Sequence, residues 1–209
     1  MSIRTLVRLT TALVLVAACS QAETPAKAGA PPQAADSGRR EVAVFAGGCF
    51  WSTEANFEHM PGVVSAVSGF AGGRVANPSY EQVVRGGTGH VEAVQVTFDP
   101  ARISYRQLVD RFWRTIDPTD PDGQFCDKGP SYATAVFASA AQRPAAEASR
   151  QAAVQVLGQR RFVTPVRDSA RFWPAEAYHQ DFAVRNPTRY SGYTRFCGRS
   201  ARLRQVWGG

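Results

Sequence analysis

The chain has 209 residues, 44% hydrophobic and 20% charged, which suits one globular domain with appendages and excludes a wholly disordered polymer. Its formal charge is +7, but residues 1–40 hold five of the basic and two of the acidic side chains, so the remainder carries +4. The arginines are scattered and read as solvated faces, so no nucleic-acid partner is expected.

At the N-terminus, Arg4 and Arg8 precede a short apolar run, Leu13 to Ala18, that is too short for a stop-transfer span. Residues 1–18 therefore read as a secretory signal. Val16-Ala17-Ala18-Cys19 looks like a lipoprotein cleavage box, with Cys19 becoming the lipidated first residue; an ordinary cleavage site with an incidental Cys is the alternative. Residues 19–40 are Ala/Pro-rich, lack apolar periodicity and read as a flexible tether. The folded domain is expected over 41–209, on the periplasmic side of the envelope, held to a membrane through Cys19. Nothing signals oligomerisation, and a monomer is expected.

Glu41 to Ala46 reads as a strand broken by Gly47-Gly48, with a helix from Phe50 towards His59 ended by Pro61-Gly62. Val63 to Phe70 reads as a strand, and Asn77-Pro78-Ser79 opens a short helix carrying Tyr80. Val91 to Phe98 alternates with period two, the clearest strand signal in the chain. Ser104 to Gln107 forms a capping box for a helix with Leu108, Phe112 and Ile116 on one face. A long loop over 117–131, a strand over 132–137, a helix over 140–157, a strand over 162–166 and a helix over 175–184 follow. The tail from about 186 reads as irregular. This mixture predicts an α+β fold, a two-layer α/β sandwich with a ferredoxin-like (α-β plait) core.

With Cys19 assigned to the signal, Cys49, Cys126 and Cys197 are left, an odd set that in an exported chain points to a reactive thiol or an exchanging pair. Cys49 follows two glycines where a helix begins, and a helix N-terminus favours a thiolate. An inert Cys buried between strand and helix satisfies the same spacing. Alternation puts Glu92 on the face of Val94, Val96 and Phe98, where poor solvation favours the protonated acid that a proton donor needs; the alternative is a Glu at the sheet rim. Phe50 and Trp51 could line an apolar pocket or be ordinary core, and Tyr80 and Tyr132 are hydroxyl donors or packing residues. Three scattered histidines make no metal site; His179 is expected to make structural bonds.

Gly47-Gly48-Cys49-Phe50-Trp51, Gly89-His90-Val91-Glu92, Gln124 to Tyr132 and Phe172 to Asp181 together resemble the peptide methionine sulfoxide reductase A family, in its order and spacing. The resemblance runs from about Glu41 to Tyr190. It implies that Cys49 attacks the sulfur of an oxidised methionine in proteins or in free form. Glu92 protonates the oxygen, Tyr80 and Tyr132 bond that oxygen, Asp127 orders the site, and Phe50 and Trp51 hold the methyl group, selecting the S epimer. A sulfenic acid on Cys49 then condenses with a second Cys, and a thioredoxin-like dithiol reduces the disulfide. No bound cofactor and no metal is implied. Cys197 is the preferred resolving thiol because a tail can swing in; Cys126, which stands where relatives often carry Asn, is the alternative, and a relay through both is a third arrangement. Within enzymes the competing reading is a thiol peroxidase or disulfide reductase. Outside enzymes it is a binding lipoprotein with an inactive fold.

Overall fold

A computed structural model describes residues 38–158 and 161–208. The expected signal, Cys19 and nearly all of the tether lie outside the described residues. In chain order the elements are β1 (Glu41–Ala46), α1 (Phe50–Glu58), β2 (Val63–Ala71), α2 (Tyr80–Arg85), β3 (Val91–Phe98) and α3 (Tyr105–Trp113). Then come β4 (Gly123–Gln124), β5 (Asp127–Lys128), β6 (Ala135–Ala138), α4 (Arg143–Leu157), β7 (Val166–Asp168) and β8 (Phe172–Pro174). The chain closes with α5 (Phe182–Arg185), α6 (Pro187–Phe196) and α7 (Arg199–Trp207).

The main sheet runs β7-β6-β1-β3-β2-β8, antiparallel except for the β6–β7 pair. Its central β6-β1-β3-β2 order, with crossovers through α1 and α3, is the α-β plait that the sequence pattern implies. The period-two pattern of β3 does the sorting. Glu92, Val94, Val96 and Phe98 point to one face, and Phe45, Phe57, Phe70, Leu108 and Phe112 belong to the core against it. Phe45 lies 4.7 Å from Phe57 and 5.0 Å from Phe112 between ring centres, tying β1 to both α1 and α3. The opposite face carries smaller side chains, Ala46, Ala71, Val91, Ala93 and Ala135, with Phe137.

Several expectations need correction. The segment from about 186 is not irregular but forms α6 and α7. Helix α6 buries no side chain and α7 only Arg199 and Val206, so neither shows the apolar periodicity from which a helix is read. Helix α7 is held by polar and aromatic contacts instead. The Arg202 Nε donates to Asp117 at 2.6 Å, the Trp207 indole N–H donates to the Ile116 carbonyl at 3.0 Å, and Arg114 stacks over Trp207 at 4.4 Å. The strand expected at 162–166 forms at 166–168, and the helix expected at 175–184 is a 3₁₀ turn (Ala177–His179) followed by α5. Asp181, with φ +53°, breaks the helix between them. The loop 117–131 folds back as the β4–β5 hairpin, and Tyr132 ends a 3₁₀ turn (Pro130–Tyr132) rather than starting a strand. Among the described residues no helix is long and apolar enough to cross a membrane.

Candidate active site

The strand β1 delivers the chain to Gly47-Gly48, and both glycines are required by space. A Cβ on Gly48 would stand 2.4 Å from the Gln124 Cβ at a φ of +79°, and one on Gly47 would stand 2.6 Å from the Thr53 Oγ1. The turn leaves Cys49 as the N-cap of α1, its carbonyl accepting the Ser52 and Thr53 N–H groups at 3.2 and 3.3 Å. Cys49 is only 7% exposed.

Glu92, opposite Phe70 on β2, is 1% exposed, and its Oε2 accepts the Phe50 N–H at 2.9 Å. Burial, with repulsion from Asp127, raises its pKa to about 8 against the opposing pull of that bond. The carboxyl is therefore neutral at pH 7. Tyr80 opens α2 behind a complete Ser79/Gln82 capping box, and its N–H donates to the Glu176 Oε1 at 3.0 Å. The Tyr80 and Tyr132 phenols lie close enough to perturb each other, and burial followed by the Glu92 charge raises the pKa of both. Asp127, on β5, accepts a hydrogen bond from the Tyr193 hydroxyl, which also lies close enough to Cys49 to influence its thiol. Cys49, Glu92, Tyr80, Tyr132 and Asp127 are thus brought together.

Of the two readings the sequence leaves open for Cys49, a thiolate at the helix start and a buried thiol, the surroundings favour the second. Burial first, then the Glu92 and Asp127 charges, raises the Cys49 pKa well above its ordinary value, opposed more weakly by its contacts with Tyr193 and the Trp51 N–H. A helix N-terminus contributes about 0.3–1 kcal/mol to an anion, whereas stripping water from an unpaired charge costs several kcal/mol. In this closed arrangement Cys49 is a thiol, not a thiolate.

Phe50 is buried among Phe70, Tyr80 and His179, with ring centres at 5.9, 6.1 and 5.0 Å. Trp51 is half-buried, stacked on Phe182 at 3.6 Å, and its indole N–H donates to the His179 Nδ1 at 3.1 Å. That bond requires an unprotonated Nδ1, and burial lowers the His179 pKa accordingly. His179 makes a structural bond, as expected, and the residue it holds is Trp51.

Cys197 caps the C-terminus of α6 and forms a disulfide with Cys126, in the turn between β4 and β5; the Cα atoms are 4.8 Å apart. Neither is bonded to Cys49, which is free. Sequence reasoning missed Tyr193 and Arg199. Tyr193 stands one helical turn before Cys197, a spacing that carries meaning only once the tail is known to be helical. Arg199 is buried, donates to the Thr115 carbonyl at 2.6 Å and lies over the Phe125 ring at 4.3 Å. Two trios of candidate metal ligands exist among the described residues. Cys126 and Cys197 in the first are consumed by the disulfide, and Glu54 in the second already accepts the Ser68 and Asp181 N–H groups. A cavity of about 680 Å³ lined by Val91, Lys128, Pro130 and Arg167 touches none of the clustered residues, and the chemistry assigns the site to Cys49 instead.

Residues 41–209 match the family model described as peptide methionine sulfoxide reductase. The chain belongs to the peptide methionine sulfoxide reductase family. Among relatives of this reductase, it is 49% identical over 181 residues to the peptide methionine sulfoxide reductase MsrA 2 of Caulobacter vibrioides, spanning 87% of this chain and 92% of that one. It is 52% identical over 169 residues to the MsrA 2 of Rhizobium meliloti, spanning 80% and 84%. Among solved structures, the reduced form of Mxr1 from Saccharomyces cerevisiae aligns with a TM-score of 0.68 at 31% identity, covering 73% of this chain and 89% of that one. Methionine sulfoxide reductase A of Corynebacterium diphtheriae aligns with a TM-score of 0.62 at 29% identity, covering 71% and 76%. The sequence-expected residues of this reductase gather around the buried Cys49 and Glu92, and Asp127, at the half-buried edge of the group, has its carboxylate within 4.8 Å of the Cys126–Cys197 sulfurs.

Proposed function

We propose that this peptide-methionine (S)-S-oxide reductase works through Glu92 as a proton relay beside Cys49. One observation carries the reading: the Glu92 carboxyl, buried and bonded to the N–H of Phe50 directly after Cys49, stands by the equally buried Cys49 thiol, and burial favours the neutral form of both. Glu92 gives its proton to the sulfoxide oxygen while Cys49 attacks the sulfur, and the carboxylate so formed takes up the thiol proton. Tyr80 and Tyr132 donate hydrogen bonds to the oxygen as charge develops on it. Asp127 orders the site, while Phe50 and Trp51 hold the methyl group so that the S epimer presents its oxygen to Glu92. In the resulting adduct the hydroxyl passes from the methionine sulfur to the Cys49 sulfur as the new S–S bond breaks with its electron pair on the methionine sulfur, so methionine leaves as the thioether and Cys49 is left as a sulfenic acid.

The Cys197 thiol then condenses with the sulfenic acid, releasing water and forming a Cys49–Cys197 disulfide. The Cys126 thiol attacks Cys197, which frees Cys49 as a thiol and leaves Cys126–Cys197 paired. A free Cys49 beside a Cys126–Cys197 disulfide is the end state of this relay. An external thioredoxin-like dithiol restores the pair. In the same reading, residues 1–18 direct export, lipid on Cys19 anchors the protein through the tether 19–40, and the substrates are oxidised methionines of envelope proteins.

The test is turnover of S- and R-methionine sulfoxide peptides with dithiothreitol. Consumption of the S epimer alone, abolished by Cys49→Ser, is expected. Peroxide consumption without sulfoxide consumption would instead establish a peroxidase. The relay predicts that Cys126→Ser accumulates a Cys49–Cys197 disulfide after one turnover, detectable by peptide mapping. Incorporation of labelled palmitate, lost in Cys19→Ser, checks the anchor.

A further inference from the structure

The Cys126–Cys197 pair stands beside a third group able to hold a metal. The two sulfurs and a carboxylate oxygen of Asp127 all lie within 4.8 Å of one another. In the disulfide neither sulfur carries the charge of a thiolate, the form that ligates metal, so the trio is closed to a cation. Contacts independent of that bond keep the three groups together when it is reduced. The Tyr193 hydroxyl of α6 donates to Asp127, the Arg199 guanidinium of α7 lies over the Phe125 ring at 4.3 Å, and Arg202 donates to Asp117 at 2.6 Å. Asp117 is in turn locked to the β4–β5 hairpin. Its N–H and its carbonyl bond the fully buried Gln124 side chain at 2.8 and 2.7 Å. The hairpin and the helix ends therefore stay apposed without the disulfide, with two thiols and a carboxylate around one point.

We infer that reduction of Cys126–Cys197 opens a site for one thiophilic divalent cation, zinc, with Cys126, Cys197 and Asp127 as its ligands. Zinc takes thiolates at about 2.3 Å and a carboxylate at about 2.1 Å in a tetrahedron, which sets the sulfurs about 3.8 Å apart and each about 3.6 Å from the oxygen. Both separations fit within the 4.8 Å that the three groups already span. Tyr193 occupies one oxygen of Asp127, and a hydrogen bond of this kind orients a ligating carboxylate. Two thiolates and a carboxylate bring three negative charges against the two of zinc, and the Arg199 guanidinium over Phe125 offsets the remainder. Cys126 is exposed, so the fourth position opens to water. Magnesium and calcium, which take oxygen ligands, do not suit this donor set. An external dithiol leaves the pair as two thiols and becomes a disulfide itself; zinc then displaces their two protons. The inference rests on the relay proposed above in one respect, that the pair returns to thiols in each cycle. Zinc in the site holds both thiols, which keeps Cys197 from a sulfenic acid on Cys49 and makes the cycle sensitive to metal.

The experiment uses residues 19–209 with Cys19→Ser, which keeps three of the four cysteines. The chain is prepared oxidised, with Cys126–Cys197 intact, and reduced by a phosphine, which competes for zinc less than dithiothreitol does. Thiol titration after denaturation confirms each form. Zinc is titrated against a chromogenic chelator, and cobalt serves as a spectroscopic stand-in. The reduced chain should bind one zinc, and the oxidised chain at least about a hundredfold more weakly. Cobalt in the reduced chain should show thiolate-to-metal charge transfer and the intense visible bands of a tetrahedral site. Cys49→Ser should bind zinc as the parent does, whereas Cys126→Ser and Cys197→Ser should weaken binding at least about a hundredfold and Asp127→Asn about tenfold. A reduced parent that takes up no zinc overturns the site, and this comparison needs no variant, so misfolding does not hide it. Zinc binding lost in Cys49→Ser, or unchanged in Cys126→Ser or Asp127→Asn, also overturns it. Turnover of an S-methionine sulfoxide peptide without zinc uptake marks failure of this inference alone, and zinc uptake without turnover marks failure of the catalytic reading alone.

Discussion

Replacing Glu92 by Gln separates what the buried carboxyl does for the reaction from what it does to the fold. Its pKa rises from 4.5 in the open chain to about 8 in the folded state. The folded protein therefore keeps a proton that the unfolded chain releases as pH climbs through 4.5. A raised carboxyl pKa gives stability that is complete below 4.5, declines as pH rises and levels off above about 8. The slope is about 1.4 kcal/mol per pH unit, so at pH 7 the carboxyl costs roughly 3 kcal/mol relative to a group that does not titrate, and above pH 8 about 5 kcal/mol. Gln has nearly the same shape, and its carbonyl oxygen retains the Phe50 N–H as donor.

Urea unfolding of parent and Glu92→Gln between pH 4 and 9, with the disulfide intact, should show the variant gaining on the parent across this window. Any fixed penalty for an unsatisfied amide N–H is the same at every pH and drops out of the slope. The same variant should lose about 10²–10⁴-fold in single-turnover sulfoxide reduction, because Gln bonds an oxygen but cannot protonate it. The parent's rate should fall above pH 8, where the proton is lost. A stability difference that does not vary with pH would refute the neutral carboxyl. Undiminished reduction by Glu92→Gln would refute its role as acid.

Gly48→Ala should destabilise the fold by about 2–4 kcal/mol in urea, since the added methyl meets Gln124 at a left-handed φ. With Cys126–Cys197 intact, iodoacetamide should modify Cys49 at pH 8 at least about tenfold more slowly than a free cysteine, because burial holds the thiol protonated; mass spectrometry of the labelled peptide checks this. His179→Ala should raise the KM for a peptide sulfoxide about 3- to 10-fold through loss of the Trp51 indole acceptor, with the dithiothreitol-limited kcat less affected.

What the sequence showed and what it hid divide along physical lines. Strand β3 was legible because one face is buried and period two admits a single register; that pattern alone carried Glu92 inward. The turn at Gly47-Gly48 was legible because two glycines between strand and helix have few other uses. The C-terminal helices were not, because α6 buries nothing and α7 is fastened by guanidinium and indole contacts that leave no apolar stripe. Strand β8 was hidden by brevity. It joins the sheet only because Gly69 lets the Trp173 carbonyl approach to 2.3 Å of where a Cβ would be. The pairing of Cys126 with Cys197 lay beyond reach for a combinatorial reason, since three cysteines allow three pairs and spacing selects none.

At Cys49 the sequence left two readings open, a thiolate at a helix N-terminus and a buried thiol, and burial favours the second. Its position at the start of α1 was read properly, and a helix N-terminus does favour a thiolate. That contribution, about 0.3–1 kcal/mol, is small beside the desolvation that burial imposes. Sequence gives the helix end but not the burial around it. Once burial is included, the thiol and the acid cease to be separate features. On the proposed mechanism, the burial that keeps Glu92 protonated up to about pH 8 also keeps Cys49 a thiol, so below that pH neither group changes charge until a sulfoxide oxygen is present to accept the first proton.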